Sequence, residues 1–346
     1  MSDTTPSRFY VALVVSFHIG TALAVTILNK LVLNILPTPV TLLLCQSVMC
    51  VVLILIGNAF KLCTLPKLDS SYLSGVAPLL AMKIVAQLSK TYCLLNVNAS
   101  FYQIARGLLL PFTIMLSFVF LRNSKPNSWA LFACGITTFG FLMGVSGEAA
   151  GQTSTVGIAW GIWSSITTAL ETVLVKYLAL KTGVIDLVYV TSLATTPVYA
   201  LLGLMNGELR QISALGLLHP VAIRFEKHVF VAGLFNFALS AAAYLQIRVT
   251  SPTTHMISTA ARGVLQSVLA VVFLGAERLT ASRIKSIAVI LTGTMLYTLV
   301  KEMEKRGAKL KGGLPVHNKR DETQSSRTSQ DSHRRPLIES NAFSEK

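Results

Sequence analysis

The sequence predicts an all-α integral membrane protein with ten transmembrane helices arranged as two inverted five-helix repeats. Three observations carry this prediction. Ten segments are apolar over the ~20 residues that a spanning helix needs, at about 9–33, 38–60, 71–93, 98–121, 128–147, 155–180, 184–205, 228–247, 252–274 and 281–301. Charged residues make up only 13% of the 346-residue chain and mean hydropathy is +0.61, whereas soluble domains carry ~25% charged residues. The two halves also echo each other. YCLLNV at 92–97 returns as YLQIRV at 244–249, and the spacing of Phe120-Leu121 to Gly140 returns as Phe273-Leu274 to Gly293. Both matches imply an offset of 152 or 153 residues. ILNK at 27–30 resembles VLVK at 173–176, an offset of 146, and the triplet ARG recurs at 105–107 and 261–263 about three residues out of register with the first two matches, which flank it. Five spans per half is an odd number, so the second half enters the membrane in the opposite sense, the arrangement that places a carrier's site near the midplane.

Residues 1–8 are short and polar, and the apolar stretch after them is of spanning length, so span one serves as an uncleaved signal anchor. Span one carries His18, Thr21 and Asn29 near one face, with Thr26 at its edge and Lys30 next. Span three places Lys83 and Lys90 seven residues apart on one face. Lys83 is central and reads either as a cavity cation or as the partner of Glu171. Lys30, Lys90 and Lys176 lie nearer helix ends, where snorkelling to the interface is the alternative to a cavity role. In span four Tyr102 and Arg106 are four residues apart and share a face. The pair suits a ring stacked on a base beside a guanidinium on a phosphate, against an interfacial belt tyrosine as the plainer reading. Pro111 follows and is positioned to kink the helix. The long link 206–227 contains LGLLHPVAI, read as a short interfacial helix.

Span nine is the most informative. His255, Ser258, Thr259, Arg262 and Gln266 fall at i, i+3, i+4, i+7 and i+11 and form one polar stripe on an apolar helix. Pro252 occupies the first turn, where its missing N–H is no loss. Interhelical hydrogen bonding accounts for Ser258 and Thr259 without a ligand. It does not account for Arg262, whose planar fork suits two-point contact with phosphate. His18 and His255 read either as proton sites or as hydrogen-bonded structural residues.

Residues 302–346 are charged and Ser/Thr-rich and predict a disordered tail. The loops hold six Lys/Arg on each side, while the tail holds eleven from Lys301 onward. The positive-inside rule therefore puts both termini in the cytosol. The domains read as a cytosolic N-terminus (1–8), a first repeat (9–147), a second repeat (155–301) and the tail (302–346).

Six cations (Lys30, Lys83, Lys90, Arg106, Lys176 and Arg262) fall within the spans against one acid, Glu171; Asp186, Arg283 and Lys285 lie at span ends. A cation at the bilayer centre costs ~2.5–3.5 kcal/mol even on the lenient insertion scale, so such residues face protein or a water-filled cavity. The missing negative charge points to an anionic solute. The formal charge of +15 raises nucleic acid as a partner. No basic domain stands apart from the apolar segments except the tail, which excludes it. The five cysteines show no metal spacing, and no phosphate loop, dinucleotide fingerprint, HExxH, nucleophile elbow or carboxylate pair occurs, so no enzyme, cofactor or metal is expected. A non-transporting scaffold with the tail as its interaction module is the competing class.

LQIRVTSPTTHMISTAARGVLQSVLAV (245–271) and FYQIARG (101–107) resemble motifs of the nucleotide-sugar and triose-phosphate transporter family, of the drug/metabolite transporter fold. The resemblance implies ten spans and a Golgi or ER location, with antiport of a nucleotide sugar against a nucleoside monophosphate. The span-nine match implies GDP-fucose exchanged for GMP, with UDP-sugars, GDP-mannose or a sugar phosphate as alternatives and a homodimer left open. It carries Tyr102, Arg106, His255 and Arg262 over as substrate contacts, with Lys30. Lys83, Asn29, Ser258, Thr259 and Gln266 join them from the polar faces above. Arg262 stands where the motif has Lys. FYQI and TAARG stand where GDP-mannose carriers have FYNN and GALNK. Arg262-Gly263 stands where sugar-phosphate exchangers have Lys-Arg.

Overall fold

A computed structural model describes residues 8–66, 70–121, 127–148, 154–178, 184–216, 219–249, 252–274 and 280–312. The helices are α1 (Arg8–Ile35), α2 (Pro39–Ala59), α3 (Ser70–Asn96), α4 (Ala99–Arg106), α5 (Leu109–Leu121), α6 (Ser128–Glu148), α7 (Thr155–Leu178), α8 (Val184–Met205), α9 (Glu208–Leu215), α10 (Pro220–Val249), α11 (Pro252–Leu274) and α12 (Ala281–Gly312). Each of the ten apolar segments carries helix. Among the described residues, six stretches are long and apolar enough to cross a membrane: Phe9–Ile35, Pro39–Ala59, Ala99–Val119 across α4 and α5, Ser128–Gly147, Ile185–Met205 and Ala281–Glu304. Large apolar side chains such as Phe17, Leu55, Phe139, Leu201, Phe230 and Phe273 stand outward and exposed. A surface of that kind belongs against lipid. The chain divides into one unit of Met1–Glu302 and another of Met303–Lys346. The predicted tail lies outside the described residues beyond residue 312.

Span four is broken where Pro111 dictates. A proline ring clashes with the carbonyl four residues earlier, which is that of Gly107. The helix accordingly ends at Arg106 and resumes at Leu109. The intervening turn tightens, with Gly107 N–H donating to the Ile104 carbonyl at 2.9 Å and Leu108 N–H to that of Ala105 at 3.2 Å. The short helix of the long link is α9, upstream of LGLLHPVAI. Gly207 (φ +73°) and Gly216 (φ +78°) bracket it in left-handed conformations that glycine adopts without strain. Most of the apolar stretch beyond Gly216 belongs to the start of α10. There Pro220 takes the first position and His219 Nδ1 accepts from the Val221 N–H at 3.3 Å.

Packing interlocks the two halves of the sequence. α1 lies along α10, α3 along α7 and α2 along α8, while α4 contacts α11, α7 and α6. The main core gathers Val32, Leu36, Leu94, Phe101, Ile104, Phe225 and Ile290. Helices α6 and α12 approach through a small-xxx-small face. The Ser286 hydroxyl donates to the Gly140 carbonyl at 2.7 Å, and a Cβ at Gly144 would lie 2.5 Å from Ser286 Oγ and 2.6 Å from Ile104.

Candidate functional site

The break in span four brings a cation to a cavity that α3 and α7 also line. Arg106 closes α4, and its guanidinium carbon lies 5.8 Å from the centroid of the Tyr102 ring one turn earlier, within cation–π range. Tyr102 is buried. The Ser165 hydroxyl of α7 donates to the Ala105 carbonyl at 2.8 Å and ties α7 to the broken turn. Arg106, Tyr102 and Leu109 line a cavity with Lys90 from α3 and Ser164, Ser165 and Thr168 from α7. Its volume is about 10 Å³, room for about one water. Lys90 Nζ pairs with Glu171 Oε2 at 3.1 Å. A wider open cleft of about 400 Å³ lies among Pro37, Tyr92, Asn206 and Glu208.

Arg262 approaches from α11 and lies within electrostatic reach of Arg106 and Tyr102. Its Nε is buried and has no hydrogen-bond partner among the described residues. Its neighbour Gly263 packs so closely on Gln103 that any Cβ there would displace that buried amide. Gln266 donates to the Ala99 carbonyl at 3.0 Å and clips α11 to the start of α4.

The remaining sequence-predicted residues are placed as follows. Lys30 is buried, and its ammonium donates to the carbonyls of Val97 at 2.7 Å, Leu94 at 2.8 Å and Leu95 at 3.5 Å, at the C-terminal end of α3. A cation is favourable there because the last carbonyls of a helix lack intrahelical partners. Lys83 donates to Thr191 Oγ1 of α8 at 2.7 Å. The alternative pairing of Lys83 with Glu171 is corrected: Lys90, two turns further along α3, takes the carboxylate. Asn29 accepts from Gln46 at 2.7 Å, and Ser258 accepts from Gln246 at 2.8 Å. The side chains of His255, Thr259 and Lys176 lie outside the described residues.

Sequence reasoning left the α7 side of the cavity unassigned. The signal was present, since Ser164, Thr168 and Glu171 fall at i, i+4 and i+7 on one face of the helix. It also set Arg283 aside as a span-end residue. In the structure Arg283 is 1% exposed and donates to Ser100 Oγ at 2.8 Å, joining the start of α12 to α4.

Fold and site define a multi-span membrane protein with a cationic, aromatic-flanked interior. The chain belongs to the Triose-phosphate Transporter family, whose profile matches residues 10–298. It is 41% identical over 315 residues to an uncharacterised transporter of Schizosaccharomyces pombe, covering 89% of this chain and 79% of that one. It is 30% identical over 319 residues to GDP-fucose transporter 1 of Mus musculus, covering 85% of each chain. A solved crystal structure 15% identical in sequence superposes with a TM-score of 0.55 over 85% of this chain and 99% of its own, a likeness of fold alone. Membership of a transporter family sets the scaffold reading aside.

Proposed function

We propose that this protein is a nucleotide-sugar antiporter that brings GDP-fucose into the Golgi lumen in exchange for GMP. It works by alternating access of two inverted five-span repeats, with both termini cytosolic. The carrying observation is Arg262, a half-buried side chain whose Nε is buried with its donor unmet, within electrostatic reach of Arg106 and Tyr102, in a chain whose relatives include GDP-fucose transporters. An inverted repeat relates span one to span six and span three to span eight. The packing of α1 on α10 and of α7 on α3 obeys that exchange, and α2 on α8 and α4 on α11 are its self-related pairs. That pattern supports two rocking halves.

In this reading Arg106 and Arg262 neutralise the pyrophosphate, and Tyr102 lines the base or ribose pocket. Polar groups of spans one and nine, Asn29 among them, read the sugar. Lys30, Lys83 and Ser258 brace the helices that frame the site. A cavity of about 10 Å³ is far below the ~300–1,000 Å³ of ligand pockets, so the helices around it part to admit substrate. No second basic side chain stands beside Arg262 in the sequence, and one at Gly263 would have to displace the Gln103 amide, so a bare sugar phosphate is less well served than a nucleotide sugar.

The test is uptake of GDP-fucose by proteoliposomes loaded with GMP. Truncating one partner of a buried charge contact costs about 2–5 kcal/mol, so Arg262→Ala is expected to lower uptake at least thirtyfold, by roughly 1.4 kcal/mol per decade, while the protein stays folded. Uptake near the wild-type level overturns the assignment. Thermal stabilisation by UMP and not GMP moves the substrate to a UDP-sugar.

A further inference from the structure

Lys90 is held differently from the other span cations with described partners. Lys30 is solvated by carbonyl oxygens and Lys83 by a hydroxyl. Neutral acceptors of that kind satisfy hydrogen bonds without cancelling charge, and they are built into the helices they brace. Lys90 instead meets a full negative charge, Glu171, at 3.1 Å across the α3–α7 contact. An ammonium has three donors, and one of them goes to Glu171, while Lys90 itself lines the cavity shared by Arg106 and Tyr102. Glu171 stands one turn beyond Thr168 and two beyond Ser164 on the face of α7 that lines the same cavity. The pair is neither sealed nor free, with side-chain exposures of 24% and 17%.

We propose that Glu171 is the resident stand-in for the substrate's phosphate: it neutralises Lys90 in the empty carrier and yields that ammonium to a phosphate oxygen on loading. This rests on the reading above that the cavity takes a phosphate ester. Lys90 thereby becomes a third basic contact of the anion, alongside Arg106 and Arg262. Three cations against one carboxylate leave two positive charges. That matches the charge of a pyrophosphate diester, and nearly that of a nucleoside monophosphate above its second pKa of about 6. The internal carboxylate also explains how an emptied site so rich in cations persists between substrates, since an uncompensated buried charge is strongly destabilising. Glu171 acts through Lys90 and touches no substrate atom, so its role is one of positioning.

The experiment titrates purified full-length protein with GMP, with inorganic phosphate and with guanosine as the uncharged control. Glu171→Gln removes the competitor at unchanged volume, and GMP and phosphate are expected to bind about two- to fivefold more tightly, the scale of a partly exposed ion pair. Lys90→Gln is expected to weaken both by at least about tenfold. The double variant, which leaves a neutral pair, is expected to bind both more weakly than wild type, because the ammonium is gone. Guanosine affinity should not move in any of them, which a merely structural role for the pair would not achieve. Unchanged or weaker GMP binding in Glu171→Gln, or an equal shift for guanosine, overturns the proposal. If Glu171→Gln alone does not fold, the double variant decides, and wild-type GMP affinity there overturns it. Wild-type protein that binds neither GMP nor phosphate overturns the antiporter reading as well, which separates the two failures.

Discussion

Lys30→Met distinguishes a helix cap from a ligand contact. The Lys30 ammonium reaches three carbonyls at the end of α3, two of them at 2.8 Å or less. Methionine keeps the length and the apolar stem but supplies no donor. Hydrogen bonds to a charged group contribute about 1.5–3 kcal/mol each at net, and a partly buried cation at a helix C-terminus up to ~2 kcal/mol. Removing a buried ammonium also recovers its desolvation cost, which offsets part of the sum. A net loss of about 3 kcal/mol follows. At ~2 °C per kcal/mol, the figure for chains at the large end of the calibrated range, the apo protein should melt about 6 °C lower. Because the carbonyls belong to the protein, the stabilisation added by saturating GMP should be unchanged in the variant. Thermal melts of detergent-purified protein with and without GMP read both quantities. An apo melting temperature within about 1 °C of wild type, an effect below ~0.5 kcal/mol, together with loss of the GMP increment, would refute the cap and return Lys30 to the substrate site.

Two other substitutions test the frame around the site. The Glu208 carboxylate accepts from the N–H groups of Val40 at 3.3 Å and Thr41 at 2.8 Å, and from the Thr41 hydroxyl at 3.1 Å, where Thr38 supplies no side-chain cap to α2. Glu208→Ala should therefore cost about 2 kcal/mol, a fall of ~4 °C in the apo melt, with GMP affinity retained. Gly144→Val would drive a branched side chain into Ser286 and Ile104. Overpacking of this kind costs about 1–3 kcal/mol or more, and the variant should lose its monodisperse peak in size-exclusion chromatography or melt at least ~4 °C lower, while Gly144→Ala should be milder.

The helices were legible because a bilayer demands length and apolarity that few other environments do, and each predicted span carries helix. The break in span four was half legible. Pro111 announces a disruption, but the disrupted group is the carbonyl of Gly107, and this offset puts Arg106 at the end of a helix instead of its middle. The α9 helix was misplaced because its composition is polar. Gly207 and Gly216 delimit it, and a search for apolar periodicity passes over both. Arg283 was read by its distance from the span's end, whereas its burial follows from how α12 meets α4. The rotation of α3 against α7 chooses Lys90 over Lys83 for Glu171, although both lysines share one face of their helix. Side-chain packing fixes that rotation, and periodicity carries no trace of it.

Counting acids and bases predicted that most interior cations would lack partners, and the structure shows why that count both misleads and informs. Carbonyl and hydroxyl oxygens meet Lys30, Lys83 and Arg283, so their hydrogen bonds are not waiting for a ligand. A dipole nevertheless solvates a charge without removing it, and the field of such cations persists across an interior that water does not screen. Around the broken helix, among the described residues, that field has one carboxylate to oppose it, Glu171, and one buried guanidinium nitrogen without an acceptor, on Arg262. Hydrogen-bond geometry thus separates the cations that brace helices from those that the proposed reading gives to the solute, and the net charge of the whole set is what supports an anion there.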